Sequence, residues 1–216
     1  MSARTLIASV LLLGACAADV GEGRVEATVS DAPAPTEAAA TEAPAPAAAE
    51  GTKLAVDTAQ SKLGLIGAKI TAQHPIHFNE YTGEVTLNGE TVSGVHFVAQ
   101  TASVESDSPR LTEHLKGEDF LFVAEHPTGE FTSTAIAEGS AAEGDWTHTV
   151  TGNLTIRGVT KQVSFPANIT VAADKVSAKT EFVINRQDFG VTYPGRADDL
   201  VQDNVAMQIE FVAPRS

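Results

Sequence analysis

Apolar and polar residues alternate with a period of two over much of the chain after Thr52. The clearest run extends from Val163 to Val171, where every second residue is apolar. Further runs with the same period lie at 150–156, 178–185 and 205–211. A strand with one buried and one solvated face has this period, and antiparallel sheets commonly bury a single face. The pattern therefore predicts an all-β domain built from antiparallel strands.

Turn signals separate these runs. Asn88-Gly89 and Arg157-Gly158 are typical of hairpin connections. Weaker alternation adds five segments to the predicted strands: 53–57, 62–72, 80–87, 91–101 and 129–137. The total is roughly eight or nine strands, a spacing that indicates a meander closed into a barrel or folded into a sandwich.

One segment breaks the strand pattern. Ser108 is a favoured residue for a helix N-cap, and Pro109 suits the first helical position. Leu111 and Leu115 lie four residues apart, and Gly117 can end a helical turn. We expect one short helix over 108–117, placed as a lid or plug on the all-β body.

The first residues are typical of an export signal. Arg4 precedes a short apolar run, which is too short to cross a bilayer as a helix. The run ends in Leu13-Gly14-Ala15-Cys16, which resembles a bacterial lipobox. This resemblance implies a signal peptide over 1–15 and acylation of Cys16; the other interpretation is an ordinary signal peptide with an incidental cysteine. Ala17, in place of Asp, favours the outer membrane if the host is Gram-negative.

Composition divides the rest of the chain. Residues 31–50 contain ten Ala, four Pro and four acidic residues, which cannot form a core. We therefore expect 16–50 to be an acidic, disordered tether and 51–216 to be the folded domain. The whole chain has 28 acidic and 14 basic residues, a net charge of -14, so nucleic-acid binding is disfavoured. The single cysteine excludes an internal disulfide.

Three sequence blocks resemble the YceI-like family. They are the stretch from Arg110 to Phe131, the block Gly152–Lys161 with its Leu-Thr and Gly-Val-Thr-Lys elements, and Ile184-Asn185-Arg186-Gln187-Asp188-Phe189-Gly190. The blocks occur in order across 52–213. The resemblance implies an extended, lipocalin-like antiparallel β-barrel of about eight strands that holds a polyisoprenoid-type lipid. It also implies an exported binding protein without established catalytic residues.

The sequence departs from the family pattern in two places. Phe120-Leu121-Phe122 stands where the family usually has Phe-Phe-Asp, and Gly67-Ala68-Lys69 replaces the more common Val-Lys-His. Both lie where the barrel mouth is expected.

Inward-facing apolar positions give the candidates for a ligand-binding wall. An eight-stranded barrel is just wide enough for its own side chains or for one small ligand. The candidates are Phe97, Phe131, Phe165, Phe182, Ile184, Met207 and Phe211. The alternative interpretation is that these side chains simply fill a dry core.

The polar candidates point to structural roles. His74 and His77 have no third metal ligand nearby in the sequence, which favours a rim loop over a metal site. We expect His114 to face Glu113 or Asp119 in a network that locks the helix. Arg186 and Asp188 are expected to pair and pin a strand end. Gly190 suits a turn with positive φ, and residues 193–199 suit a solvated loop.

The sequence therefore predicts a non-catalytic, membrane-tethered carrier of an apolar lipid in the cell envelope. Neither a cofactor nor a metal is expected; the partners are the lipid and, through Cys16, the membrane. Release of the lipid would require the segment 108–122 to move. Two alternatives stay open: a solid barrel that contacts an envelope or respiratory-membrane partner, and a hydrolase using His114 or His74. Antiparallel edge strands leave a homodimer open.

Overall fold

The computed structural model describes residues 19–33, 51–140, 142 and 144–215. Within these residues the strands are β1 (Thr28–Asp31), β2 (Thr52–Ala55), β3 (Lys62–Lys69), β4 (Ala72–Phe78), β5 (Tyr81–Asn88), β6 (Thr91–Gln100), β7 (Val104–Ser106), β8 (Thr128–Glu138), β9 (His148–Ile156), β10 (Val159–Val171), β11 (Lys175–Asn185), β12 (Gly195–Arg196), β13 (Asp199–Leu200) and β14 (Asn204–Pro214). The helix α1 spans Pro109–Lys116, and 3-10 turns span Thr101–Ser103 and Arg186–Phe189.

Eleven strands follow one another in a single antiparallel sheet, in the order β2-β5-β6-β8-β9-β10-β11-β14-β3-β4-β7, and β1 pairs with β10 beside this path. The sheet curls because β7 continues β6 after a 3-10 turn and pairs with β4. At the other end of the order, the residue two positions after β2, Asp57, donates its N–H to Val212 O of β14 at 2.8 Å. The predicted all-β antiparallel barrel with one short helix is confirmed.

The eight or nine strands that the sequence predicts are fewer than the structure contains. The described residues contain fourteen strands, five of them only two to four residues long. Such short strands carry too few side chains to show alternation. The sequence predicts a rim loop at His74 and His77, but both residues lie in β4, which pairs with β3 and β7. Pro75 hid this strand, because proline lacks the N–H that a ladder uses.

The hairpin turn predicted at Arg157-Gly158 and the helix predicted after Ser108 are both found. Arg157 and Gly158 have φ angles of 49° and 72°, the left-handed values that a tight turn of type I′ requires at both central positions. They connect β9 and β10 directly, with Ile156 opposite Val159. Helix α1 begins at Pro109 after the N-cap Ser108 and ends before Gly117.

The barrel is solid at one end. Leu87 and Val92 of the β5–β6 hairpin are 3% exposed, and Val176 and Ala213, a β11–β14 pair, are fully buried. These residues belong to the main core cluster together with the inward-facing phenylalanines. Buried inward residues from several strands thus fill this end of the barrel.

Part of the segment 16–50 that the sequence assigns to a disordered tether is folded onto the barrel. Residues 28–31 form β1 on the barrel, and Val20 is fully buried against Val183 and Ala206. The physical reason is that Val183 is an apolar residue on the outer face of β11, which needs a cover that only a distant segment supplies. Of the rest of the proposed tether, residues 34–50 lie outside the described residues, as does Cys16.

We predict that Gly152→Ala destabilises the barrel. A Cβ at this position would lie 2.5 Å from Thr132 O and 2.6 Å from the Phe131 ring, closer than packed atoms approach. Overpacking of this kind costs about 1–3 kcal/mol, measurable by urea unfolding. Gly129→Ala on the neighbouring strand is the control, because its Cβ would meet only Thr155 O at 3.6 Å. Equal stability of the two variants would contradict the predicted contact.

Candidate functional site

The end of the barrel opposite the solid core encloses a cavity of about 230 Å³. All seven residues that the sequence analysis proposed for the wall lie on it, and they come from β6, β8, β10, β11 and β14. Six of them are less than a tenth exposed, and Phe131 is half-buried. The structure thus brings the seven together around one space. That they contact a ligand stays a prediction.

Aromatic rings form the most ordered part of this wall. Phe165 and Phe182 stack with ring centroids 4.1 Å apart and planes within 9° of parallel. Phe131 adds a tilted ring 5.5 Å from Phe165. Phe97 and Phe211 form a second tilted pair, 5.3 Å apart. These offset and tilted contacts are favourable beyond the area they bury, so they hold the rings in fixed positions around the cavity.

Small residues that no sequence pattern singled out create the space. Gly67, Ala99, Gly129, Ala167 and Ala178 all lie on the cavity wall. At each of these positions a larger side chain would project into the cavity. Their alternation is visible in the sequence, but whether small residues from different strands meet at one level depends on strand register. No local signal carries that information.

One buried cation closes the rim of the cavity. Arg186 is 6% exposed, and its guanidinium donates to the carbonyls of Val191, Val201 and Gln202 and to Asp203 Oδ1 at 2.9 Å. Burial lowers its pKa below the usual range for arginine. The role expected for Arg186, pinning a strand end, is thus found.

The expected partner of Arg186 was wrong, because Asp188 is exposed and Asp203 makes the ion pair. The reason is geometric. Residues 186–189 form a 3-10 turn, which places Arg186 and Asp188 on different sides. Gly190 ends that turn with φ 73°, as its position suggested.

A lid lies over the same end of the barrel. Leu115 of α1 and the following Phe120 and Leu121 line the cavity. The His114 ring packs edge-on against Phe120 at 4.9 Å and against Tyr193 at 5.0 Å. This aromatic contact joins the helix to the segment after β11, so residues 193–199 are not a purely solvated loop.

Hydrogen bonds complete the lid. His114 Nε2 lies 2.8 Å from Asp119 Oδ2, which is one of the two partners expected for it. Arg157, on the β9–β10 turn, donates to Phe120 O at 3.3 Å. The His114 network therefore locks the helix to the barrel rim.

A charged contact holds the hairpin β12–β13 in place. Asp199 accepts hydrogen bonds from Lys69 Nζ and from the Thr71 N–H and hydroxyl. The hydrogen bond from Lys69 is the main reason that the Asp199 pKa lies below its usual value. The hairpin is thereby held against the β3–β4 turn at the rim.

The remaining polar candidates do not reach the cavity. His74 Nδ1 lies 2.9 Å from Asp107, and His77 Nε2 lies 3.6 Å from Glu105. His77 is on the outer face of β4, whereas His74 is on the same face as Ile76 and Phe78. Neither they nor His114 are among the cavity-lining residues. In the described ranges no three acidic, histidine or cysteine side chains cluster as metal ligands. The helix found there is not of the length and apolarity needed to cross a bilayer.

A closed antiparallel barrel with one hollow, hydrocarbon-lined end is the architecture of a β-barrel binding protein. A family model described as a YceI-like domain matches residues 54–213. The chain therefore belongs to the YceI-like family.

Curated relatives agree with this assignment. A UPF0312 protein of Pectobacterium carotovorum is 31% identical over 123 residues, which cover 53% of this chain and 62% of the relative. A UPF0312 protein of Pseudomonas putida is 27% identical over 139 residues, covering 61% and 70%. The matched part thus spans just under two thirds of the length of the first of these relatives.

Solved structures share the fold. Burkholderia cenocepacia BcnA aligns with a TM-score of 0.64 at 22% identity, over 73% of this chain and 99% of BcnA. A polyisoprenoid-binding domain from Saccharophagus degradans aligns with a TM-score of 0.60 at 15% identity, over 77% and 100%. These identities are low, so the two structures support the architecture alone.

We predict that acid loosens the rim hairpin. A carboxylate whose pKa is lowered in the folded protein stabilises the fold above its unfolded pKa, about 3.9 for Asp, and this stabilisation is lost as pH falls through the folded value. Amide hydrogen exchange at residues 195–201 should therefore rise, relative to the intrinsic rate, as pH is lowered below about 4. Asp199→Asn is the control and should lack this pH step; an identical step in the variant would contradict the assignment.

Proposed function

We propose that this protein holds a long apolar lipid of the polyisoprenoid or isoprenoid-quinone type in the hollow end of its barrel. Membership of the YceI-like family and the fold shared with a polyisoprenoid-binding domain support lipid binding. The observation that carries the proposal is the contrast between the two ends of one barrel: the far end is filled, whereas the lid end encloses about 230 Å³ with hydrocarbon walls.

An unfilled cavity of this kind is costly. At roughly 24 cal/mol per Å³, 230 Å³ corresponds to about 5 kcal/mol of lost packing. Water does not recover this energy, since a water molecule needs two to four polar partners and apolar cavities stay dry. A hydrocarbon chain makes the missing contacts without needing any hydrogen bond. Filling the cavity with such a chain therefore stabilises both partners.

The dimensions favour a slender ligand. Sites for compact organic ligands usually have volumes of about 300–1,000 Å³, which exceed the volume found here. The stacked Phe165 and Phe182 rings further narrow the space. A single flexible chain fits such a site better than a fused ring system, and a longer chain would extend from the cavity toward the rim.

The two alternatives have less support. The hypothesis of a solid barrel that acts only through its surface predicts a filled interior, but the interior of this barrel contains a cavity. A hydrolase predicts that a histidine and a carboxylate face bound substrate. The His114–Asp119 and His74–Asp107 pairs do not line the cavity. We therefore propose binding, not catalysis.

We further propose that Cys16 is acylated and anchors the protein at the periplasmic face of the cell envelope, on the outer membrane in a Gram-negative host. The lipobox-like residues Leu13–Cys16 support this. Asp19 is three residues after Cys16 and already lies beside the barrel, where its side chain accepts a hydrogen bond from Gly21 N. Three residues span at most about 10 Å. The anchored barrel would thus lie close to the membrane surface.

Filling the cavity should weaken binding without loss of stability. Ala178→Phe adds a ring beside Phe211, its neighbour across β11 and β14. We expect at least ten-fold weaker binding of all-trans-retinol, a fluorescent isoprenoid, with an unchanged or raised Tm. The exposed Ala197→Phe is the control. Native mass spectrometry of the wild type, followed by organic extraction, should release an apolar chain. No bound lipid and no uptake of retinol, quinone or polyprenol would overturn the proposal.

The anchor has its own test. Cys16→Ser should abolish metabolic incorporation of palmitate and shift the protein from the membrane fraction to the soluble periplasmic fraction. Ser9→Ala, in the apolar run of the signal, is the control and should keep both properties. Equal labelling of the Cys16→Ser variant would show that the cysteine is not the acylation site.

A further inference from the structure

The barrel wall has a gap between β10 and β11. These strands pair with each other only over four positions, from Asn168 opposite Lys179 to Val171 opposite Val176. Both strands then continue toward the rim, and no pairing between them is found there in the described chain. Pro166 lies where the ladder stops, and proline has no N–H to donate.

A side chain replaces the lost ladder bond at this point. The Thr180 hydroxyl donates to the Pro166 carbonyl at 2.6 Å. This bond caps the end of the β10–β11 ladder but cannot extend it. Beyond it, the two strand edges require another partner, because buried backbone groups left unpaired are strongly unfavourable.

The N-terminal segment 25–31 fills this gap. β1 runs antiparallel to β10, from Thr28 opposite Ser164 to Asp31 opposite Lys161. On the other side, Ala27 N donates to Val183 O and Val183 N donates to Val25 O, both at 2.8 Å. The segment therefore bonds to both edges and acts as an inserted piece of the wall.

Ion pairs lie at both ends of the inserted segment. Arg24 pairs with Glu181 at 2.5 Å near one end, and Asp31 pairs with Lys161 at 2.7 Å at the other. Val20 covers the outer face of β11. The paired ladder itself is only four residues long.

The stacked phenylalanines lie on the inner side of the gap. Phe165 belongs to β10 and Phe182 to β11, and both line the cavity. Their rings stack across the strands at the level where the ladder is missing. Ala27 and Val29 belong to the same core cluster. Between the cavity and solvent at this point there are thus one pair of rings and one short segment.

We propose that the gap between β10 and β11 is a lateral portal for the apolar ligand, and that residues 25–31 are the removable part of the wall that closes it. This inference rests on the proposed lipid-binding function. A chain-like ligand can pass sideways through an opened wall without moving the lid, which is held by the His114–Phe120–Tyr193 contacts and by Arg157.

The portal also suits an anchored protein. The segment that closes it begins nine residues after Cys16, and Val20, four residues after Cys16, already covers the outer face of β11. An acyl anchor at Cys16 would therefore bring this side of the barrel next to the bilayer. The lipid could then exchange between membrane and cavity without crossing water.

A reversible cross-link tests the portal. In the full chain with Cys16→Ala, Thr28→Cys and Ser164→Cys place two thiols on paired strand positions, a geometry that a disulfide can bridge. The matched control joins Lys179→Cys and Glu210→Cys, paired on the continuous part of the wall. Stopped-flow fluorescence of all-trans-retinol measures uptake and release before and after reduction.

We expect the oxidised Thr28–Ser164 cross-link to slow both uptake and release at least ten-fold, with little change in Kd, and reduction to restore them. The control cross-link should change neither rate. Unchanged rates in the oxidised protein would overturn the portal and assign passage to the lid. If the Cys16→Ala parent holds no lipid and takes up neither retinol nor quinone nor polyprenol, the proposed function itself is overturned.

A second variant perturbs the segment in the opposite direction. Arg24→Ala removes the ion pair with Glu181, and we expect at least three-fold faster uptake of retinol. Lys53→Ala, which removes an exposed pair with Glu84 on β2 and β5, is the control. Equal uptake rates for the two variants would contradict the gating role of residues 25–31.

Discussion

A closed antiparallel sheet sets its interior volume through strand number and tilt, whatever the size of the side chains inside. This constraint explains why one barrel can be solid at one end and hollow at the other. Where large residues from several strands point inward at one level, as at Leu87 and Val92, they fill the space. Where alanine and glycine alternate with phenylalanine, the sheet cannot collapse to remove the vacancy.

The same closure makes the wall sensitive to any break in its ladder. Pro166 stops the pairing of β10 with β11, and the structure restores the wall with a segment from the other end of the sequence. The wall is therefore completed by a short segment that is distant in sequence from both β10 and β11. A binding barrel needs a route for its ligand, and the proposed portal places that route at this separate piece of wall beside the cavity.

The polar groups at the rim serve to hold the cover in place. Arg186 binds three carbonyls and Asp203, and Asp199 binds Lys69 and Thr71. These contacts attach the segment after β11 to the barrel, while α1 contributes the apolar side of the lid. Because the cavity walls are hydrocarbon and the charged contacts lie outside the cavity, specificity for the ligand rests on the shape of the cavity and on burial of the ligand chain.

The sequence by itself determined the strand periodicity, the hairpin turns, the helix at α1 and the inward rows that contain all seven proposed wall residues, because each depends on neighbours within a few positions. It could not determine which residues meet across strands. The partner of Arg186, the strand at His74–His77, the hollow level and the insertion of residues 25–31 all depend on register between distant segments. The apolar run Phe182-Val183-Ile184 did hint that the outer face of β11 is covered. Only the tertiary structure identified Val20 as the cover, since contacts at that separation leave no periodic signal.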